Sequence, residues 1–275
     1  MTHKALLEQI KVKKSFLCVG LDVDKELIPG HLKSEPDAIF TFCKKIIEAT
    51  APYCVAYKPN IAFFEAYGLE GWKSLAKVIG FLNREYPNIF TIADAKRADI
   101  GNSSMKYAKA YFEQFEFDSV TISPYMGKDS IEPFLEYEGK HAILLALTSN
   151  EGASDFQMLH SEGKLLYKEV IKKSRNWENA HRLMYVVGAT KAQALKEIRK
   201  IIPDSFLLIP GVGAQGGSLE EVAVNGLNHE CGLLVNSSRG IIYASTGDDF
   251  DQVAASIAKD LQMQMAFHLN KKGVV

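Results

Sequence analysis

The chain has little cysteine and no cysteine pairs: Cys18, Cys43, Cys54 and Cys231 are its only four, with no CxxC spacing among them. That excludes the usual thiol signatures of zinc and redox chemistry. Three of the four lie in apolar runs, where free cysteine behaves as a small hydrophobe, so a reducing compartment, the cytoplasm, is expected. Long apolar runs are also missing. No stretch approaches about eighteen uncharged apolar residues, and the N-terminal MTHKALLEQIKVKKSF has no continuous apolar centre, so neither membrane spanning nor secretion is expected. The seven histidines include none placed beside another histidine, cysteine or carboxylate at a zinc-like spacing, so no metal is expected. Charge of one sign is lacking as well: 32 Lys and Arg face 33 Asp and Glu, a net charge of -1. Without a basic excess nothing favours nucleic acid or an anionic membrane as partner, and a small polar ligand fits better. No low-complexity or Pro/Gly-rich linker divides the chain.

What is present is alternation. Eight short apolar, β-branched runs bounded by turn residues read as strands: FLCVGLDV from Phe16, CVAYKP from Cys54, IFTIADAK from Ile89, SVTISP from Ser119, AILLALTS from Ala142, LMYVVGAT from Leu183, FLLIPGV from Phe206 and GLLVNSS from Gly232. Segments of helical period lie between them. Residues 37–51 carry Ile39, Phe40, Phe42, Cys43, Ile46 and Ile47 at three and four spacings, and 69–86 and 219–227 show similar faces. Strand–helix alternation implies parallel strands with helical crossovers. A doubly wound open sheet competes, but eight units at even spacing favour a single (β/α)8 TIM barrel over residues 1–275, with 2–14 as an extra N-terminal helix closing its bottom. The length of 275 residues is normal for one such barrel. One connection, 150–163, is long and carries no strong helix signal; such loops are usually functional lids or disordered, and in a barrel it would lie on the active-site face.

Barrel enzymes place their chemistry at the C-terminal ends of strands. The third strand runs directly into IADAKRADIGNSS, from Ile92 to Ser104, with two aspartates, a lysine and an arginine in six residues. Strand side chains alternate with period two, so Asp94 and Lys96 are expected on one face and Arg97 on the other. Opposite charges about 4 Å apart attract by about 4 kcal/mol at an effective dielectric of 20, enough to keep a partly buried lysine protonated and able to act as a general acid. For an isolated DxK a structural ion pair at a strand end is the favoured reading. Lys58 shifts the balance, because it sits in the otherwise apolar CVAYKPNIAFF, where an unpaired charge is costly, and Asp94 on the adjacent strand is its expected partner.

The last two units supply an anion site. IPGVGAQGG contains GxGxxG from Gly211 to Gly216, but a dinucleotide fold wants an acidic residue at the end of the next strand, which here ends in Val235 and Asn236. What remains is a glycine-rich loop whose N–H groups can cradle an anion, with Arg239 to neutralise it, at the two strands where barrels commonly hold phosphate.

Taken in order, LDVD, YKPN, DAKRADIG, TSN, PGVGAQGG and NSSRGI resemble the orotidine 5′-phosphate decarboxylase family, in its second, longer group, from about Phe16 to Tyr243. The resemblance implies decarboxylation of orotidine 5′-phosphate to UMP and CO2, the last step of de novo UMP synthesis, without metal or organic cofactor. It implies Lys96 as proton donor in a charged array of Lys58, Asp94, Lys96 and Asp99. It further implies Asp22 on the ribose, Ser149 on the pyrimidine, and Gln215 and Arg239 on the phosphate, with backbone around Pro210 and Ser238. Asp99, with Ile100 and Ser103, would reach across a homodimer interface into the partner's site. Relatives sharing DxKxxD, the metal-dependent sugar-phosphate decarboxylases and hexulose-phosphate synthases, are similar at the third strand but carry a metal-binding carboxylate where this chain has Lys58. A non-catalytic nucleotide-phosphate binder on the same barrel is the other alternative; it has no need of the Lys-Asp-Lys-Asp set. Two positions depart from the group's pattern, Ala98 where glycine is common and Ser103 where threonine is, and neither touches the charged array.

Overall fold

Eight parallel strands close into a barrel in the computed structural model, which describes residues 1–213 and 216–275. They are β1 (Leu17–Leu21), β2 (Ala56–Pro59), β3 (Phe90–Arg97), β4 (Ser119–Ile122), β5 (His141–Leu147), β6 (Leu183–Val187), β7 (Leu207–Pro210) and β8 (Leu233–Ser237). Each pairs with its neighbours in sequence, and β1 closes on β8 through Leu17 with Val235, Cys18 with Asn236 and Val19 with Ser237. Every expected strand is found, within one to three residues of the expected bounds. The reason is burial: a parallel barrel covers both faces of its strands, so each reads as a continuous apolar run. β1, β2, β4, β6 and β8 are buried along their whole length. In β3 burial stops after Ala93, and Asp94 to Arg97 emerge from the core together.

The crossover helices bury the apolar faces that their periodicity marks. Ala38–Thr50 turns Ile39, Phe42, Cys43, Ile46 and Ile47 inward; Gly68–Glu85 and Leu219–Gly226 do likewise, each within a residue or two of the expected span. The extra N-terminal helix is His3–Lys13, capped by the Thr2 hydroxyl, which accepts the Ala5 N–H at 3.2 Å. It buries Leu6 and Ile10, and Lys13 Nζ donates to the carbonyls of Ala51 and Cys54, both at 2.8 Å, pinning the helix beneath the start of β2. The helix Phe250–Lys272 packs against Ala38–Thr50 and has no counterpart among the helical segments expected from periodicity.

The long connection after β5 is more ordered than its sequence suggests. It contains a turn of helix, Ala153–Phe156, and a two-residue antiparallel hairpin, His160–Ser161 with Lys164–Leu165. Side-chain clips, which leave no periodicity, hold it. Gln157 accepts the Thr148 N–H at 2.8 Å and donates to the Thr148 hydroxyl at 2.9 Å, tying the segment to the end of β5.

Candidate active site

The emerging half of β3 forms one wall of a cavity of about 440 Å3 at the C-terminal mouth of the barrel, a size usual for a nucleotide-sized ligand. Lys58, at the end of β2, is 3% exposed; its ammonium donates to Asp94 Oδ2 at 2.7 Å and lies 3.8 Å from Asp22 Oδ1. Lys96, half-exposed, donates to the other Asp94 oxygen, Oδ1, at 2.5 Å. Three strands thus deliver Asp22, Lys58, Asp94 and Lys96 as one connected set of alternating sign. Burial opposes the charge on Lys58, but Asp94 and then Asp22 outweigh it and hold the ammonium above its ordinary range. For Asp94 burial also works against the charge, and Lys58 and Lys96 overcome it, holding the carboxyl well below the usual carboxylate range. Both groups are therefore charged at neutral pH.

Asp94 and Lys96 meet as expected, but not on a regular strand. Lys96 has φ +47°, a left-handed backbone that costs a residue other than glycine about 1–2 kcal/mol. β3 slips against β4 at this point: Ala93 pairs with Val120, and the next pair is Arg97 with Ile122. Arg97 points away from the cavity, pairs with Glu65, and lies over the rings of Tyr107 and Tyr111 at 5.3 and 5.7 Å.

Across the cavity, Tyr243 holds the loop after β1. Its hydroxyl accepts the Asp24 N–H at 2.6 Å and donates to the Asp22 carbonyl at 3.1 Å, while its ring stacks on Phe42. Asp22 Oδ1 is buried, its nearest cation the Lys58 ammonium at 3.8 Å, and has no hydrogen-bond partner among the described residues. β8 comes close to β1 here: a Cβ at Gly20 would lie 2.6 Å from Ser238 Cβ, so only glycine lets Ser238 reach the Gly20 carbonyl with its hydroxyl, at 3.1 Å. Arg239 follows at the cavity edge, facing the loop after β7, where Gly211 and Gly213 take φ of +96° and +77°. Within the loop the Gly213 N–H donates to the Gly217 carbonyl at 3.0 Å and the Gly217 N–H to the Gly211 carbonyl at 3.2 Å, which folds it tightly at the cavity edge.

Of the residues singled out from sequence, Asp22, Lys58, Asp94, Lys96, Ser149, Pro210, Ser238 and Arg239 line this one cavity. Asp99, Ile100 and Ser103 do not; they sit just beyond β3, with Ile100 exposed and Asp99 accepting the Ile100 N–H at 2.8 Å. Gln215 lies outside the described residues. Sequence reasoning missed Asn60, Thr121, Thr148, Asn150 and Gln157, all in the lining; Asn236, noted from sequence as a polar residue at the end of the eighth strand, lines it too. Asn60, Thr148 and Asn150 stand within YKPN and TSN, so their signal was adjacency to residues already chosen. Thr121 and Gln157 had none. Among the described residues, no group of three or more His, Cys, Asp or Glu side chains is placed to hold a metal ion.

The sequence model described as "Orotidine 5'-phosphate decarboxylase / HUMPS family" matches residues 15–249. The chain is similar to the orotidine 5'-phosphate decarboxylase of Christiangramia forsetii, 63% identical over 98% of this chain and 100% of that one. The protein of the same name from Flavobacterium johnsoniae is 61% identical over 99% and 100%. Among solved structures, Leishmania donovani OMP decarboxylase superposes with a TM-score of 0.81 at 35% identity, covering 97% of this chain and 100% of that one. With its barrel, its charged array and these relatives in agreement, the chain belongs to the orotidine 5′-phosphate decarboxylase / HUMPS family.

Proposed function

We propose that the chain decarboxylates orotidine 5′-phosphate to UMP and CO2, the last step of UMP synthesis, with Lys96 as the proton donor and no metal or organic cofactor. The observation that carries this is the continuous Lys58–Asp94–Lys96 set, with Asp22 3.8 Å from Lys58 and Arg239 in the lining of the same cavity. The C6–carboxylate bond breaks heterolytically and its electron pair stays on C6 in an orbital the ring cannot delocalise. The fixed Lys96 ammonium stabilises that charge and then gives its proton to C6; the neutral amine regains a proton from water after turnover. This interaction grows towards the transition state, which is what accelerates the chemical step. Asp94, kept ionised by two lysines, faces the departing carboxylate and favours its loss. Lys58 in place of a metal-binding carboxylate argues against the metal-dependent sugar-phosphate relatives.

Asp22 holds the ribose, Ser149 the pyrimidine, and Arg239 the phosphate with Gln215 and backbone near Pro210 and Ser238. The protein works as a homodimer of single-barrel subunits in which Asp99, Ile100 and Ser103 complete the neighbour's site. Exposed Ile100, Met105, Tyr107, Tyr125 and Met126, gathered after β3 and β4, support that interface. Four buried, unpaired thiols fit a reducing, cytoplasmic setting, and no described helix is long and apolar enough to cross a membrane. Loss of ultraviolet absorbance from orotidine 5′-phosphate tests the reading directly. The wild type should consume the substrate, and Lys96→Ala should still bind UMP while losing nearly all turnover. A variant within tenfold of wild type would remove Lys96 from its role, and a wild type that binds UMP without turnover would favour the non-catalytic binder.

A further inference from the structure

We propose that Thr121 is a positioning residue for the decarboxylation, its one hydroxyl fixing both the backbone of Lys96 and the carboxylate of Asp94; this rests on Lys96 being the proton donor. Between the pairs Ala93–Val120 and Arg97–Ile122, β3 has three residues where β4 has only Thr121. The extra length is taken up as a bulge in which Lys96 adopts its left-handed backbone and its N–H loses a place in the parallel ladder. The Thr121 hydroxyl fills that place. It accepts the Lys96 N–H at 2.9 Å and donates its own proton to Asp94 Oδ1 at 3.1 Å. Thr121 is 1% exposed, so no water substitutes easily for either bond.

The chemistry gives this bond a purpose beyond holding the bulge. Asp94 Oδ1 takes two donors, Lys96 Nζ and Thr121, while Oδ2 takes Lys58. When Lys96 turns its ammonium from Asp94 to the substrate carbon, Oδ1 keeps the threonine donor. Asp94 thus remains a satisfied carboxylate in its place, and the lysine leaves from a backbone that does not shift. A hydroxyl acting as acceptor and donor at once is the minimum that serves both ends, and no apolar residue of the same shape can replace it.

Thr121→Val keeps the shape and removes the hydroxyl. It is expected to lower kcat about tenfold to hundredfold, the cost of leaving buried polar groups unpaired, with the KM for orotidine 5′-phosphate and UMP binding within about threefold of wild type. Thr121→Ser restores the hydroxyl and should return kcat to within about threefold. Melting temperatures of both are measured alongside. A valine variant with kcat within about twofold of wild type overturns the proposal, as does one that loses UMP binding in step with kcat, which is the signature of a general structural role. The serine variant reads the hydroxyl even if the valine variant does not fold: a folded serine variant about tenfold or more slower than wild type also overturns it. Wild-type protein run in parallel separates the two levels, because no turnover there strikes the decarboxylase assignment itself, and this role with it.

Discussion

Replacing Lys58 by methionine tests whether the charged array is a poised, costly device or an ordinary ion pair. Lys58 is 3% exposed and faces two carboxylates, at 2.7 Å and 3.8 Å. At an effective dielectric of 20 each attraction is worth roughly 4–6 kcal/mol before the several kcal/mol of desolvation per ion is subtracted. Methionine matches the volume but strands Asp94 and Asp22 with only Lys96 nearby. The expected loss of stability is therefore about 3–5 kcal/mol at pH 7, the range for breaking a buried pair from one side. The pH dependence comes from the two shifts. Asp94 is held below its ordinary 3.8, so its contribution is present above that pH and lost as pH falls through the lower folded value. Lys58 is raised above 10.5, so its contribution is present below that pH and lost as pH rises through the higher folded value. The difference between wild type and Lys58→Met should accordingly form a plateau between about pH 4 and pH 10 and shrink on either side. Urea unfolding followed by the fluorescence of Trp72 and Trp177 measures it. Lys58→Met with Asp94→Asn removes both partners and should regain much of the stability while staying inactive. A single variant losing less than about 1 kcal/mol, or a double variant losing the sum of the two singles, would refute the reasoning.

Two further outcomes are expected from other parts of the molecule. His141, at the start of β5, is lowered by burial from 6.5 to about 4, so the unfolded chain takes up a proton that the folded one refuses. Stability should fall by about 1.4 kcal/mol per pH unit as pH drops from about 6.5 towards 4, and His141→Gln should flatten that limb in urea melts at pH 7 and pH 4.5. If Asp99 completes the partner's site, then mixing inactive Lys96→Ala with inactive Asp99→Ala subunits and allowing exchange should restore about a quarter of wild-type activity, since half the dimers are mixed and each has one intact site. Absence of recovery after exchange confirmed by mass would place Asp99 within its own subunit's chemistry.

The sequence made the barrel legible because its strands are buried on both faces, and it made the charged set legible because a lysine in CVAYKPNIAFF needs a carboxylate. What it left dark depends on single side-chain contacts. Gln157 organises the segment after β5 through two bonds to Thr148, and neither residue differs in type from an ordinary loop residue. Thr121 looks like any β-branched strand residue; its role exists only because it faces the slip in β3. The proposed reach of Asp99, Ile100 and Ser103 into a neighbour would be a property of two chains.

Asp94 and Lys96 meet even though the regular strand that predicts their meeting is interrupted between them, and the reason is arithmetic. Period-two alternation needs an unbroken ladder, whereas β3 places three residues opposite one. A bulge with one extra residue would have inverted every later side chain and turned Arg97 into the cavity. Here two extra residues are inserted, so parity returns at Arg97, which keeps the face of Ala93 and reaches Glu65 on the outside. From Ala93 to Arg97 the chain advances only as far as Val120 to Ile122, about 6.6 Å instead of the roughly 13 Å of four regular residues. That compression brings the backbone of Lys96 back towards Asp94, so that the ammonium reaches its partner from a half-exposed position facing the cavity. An even insertion thus moves the lysine while Arg97 and the residues after it hold their places, which is how a strand end can carry a lysine with a strained backbone while the rest of the barrel keeps its register.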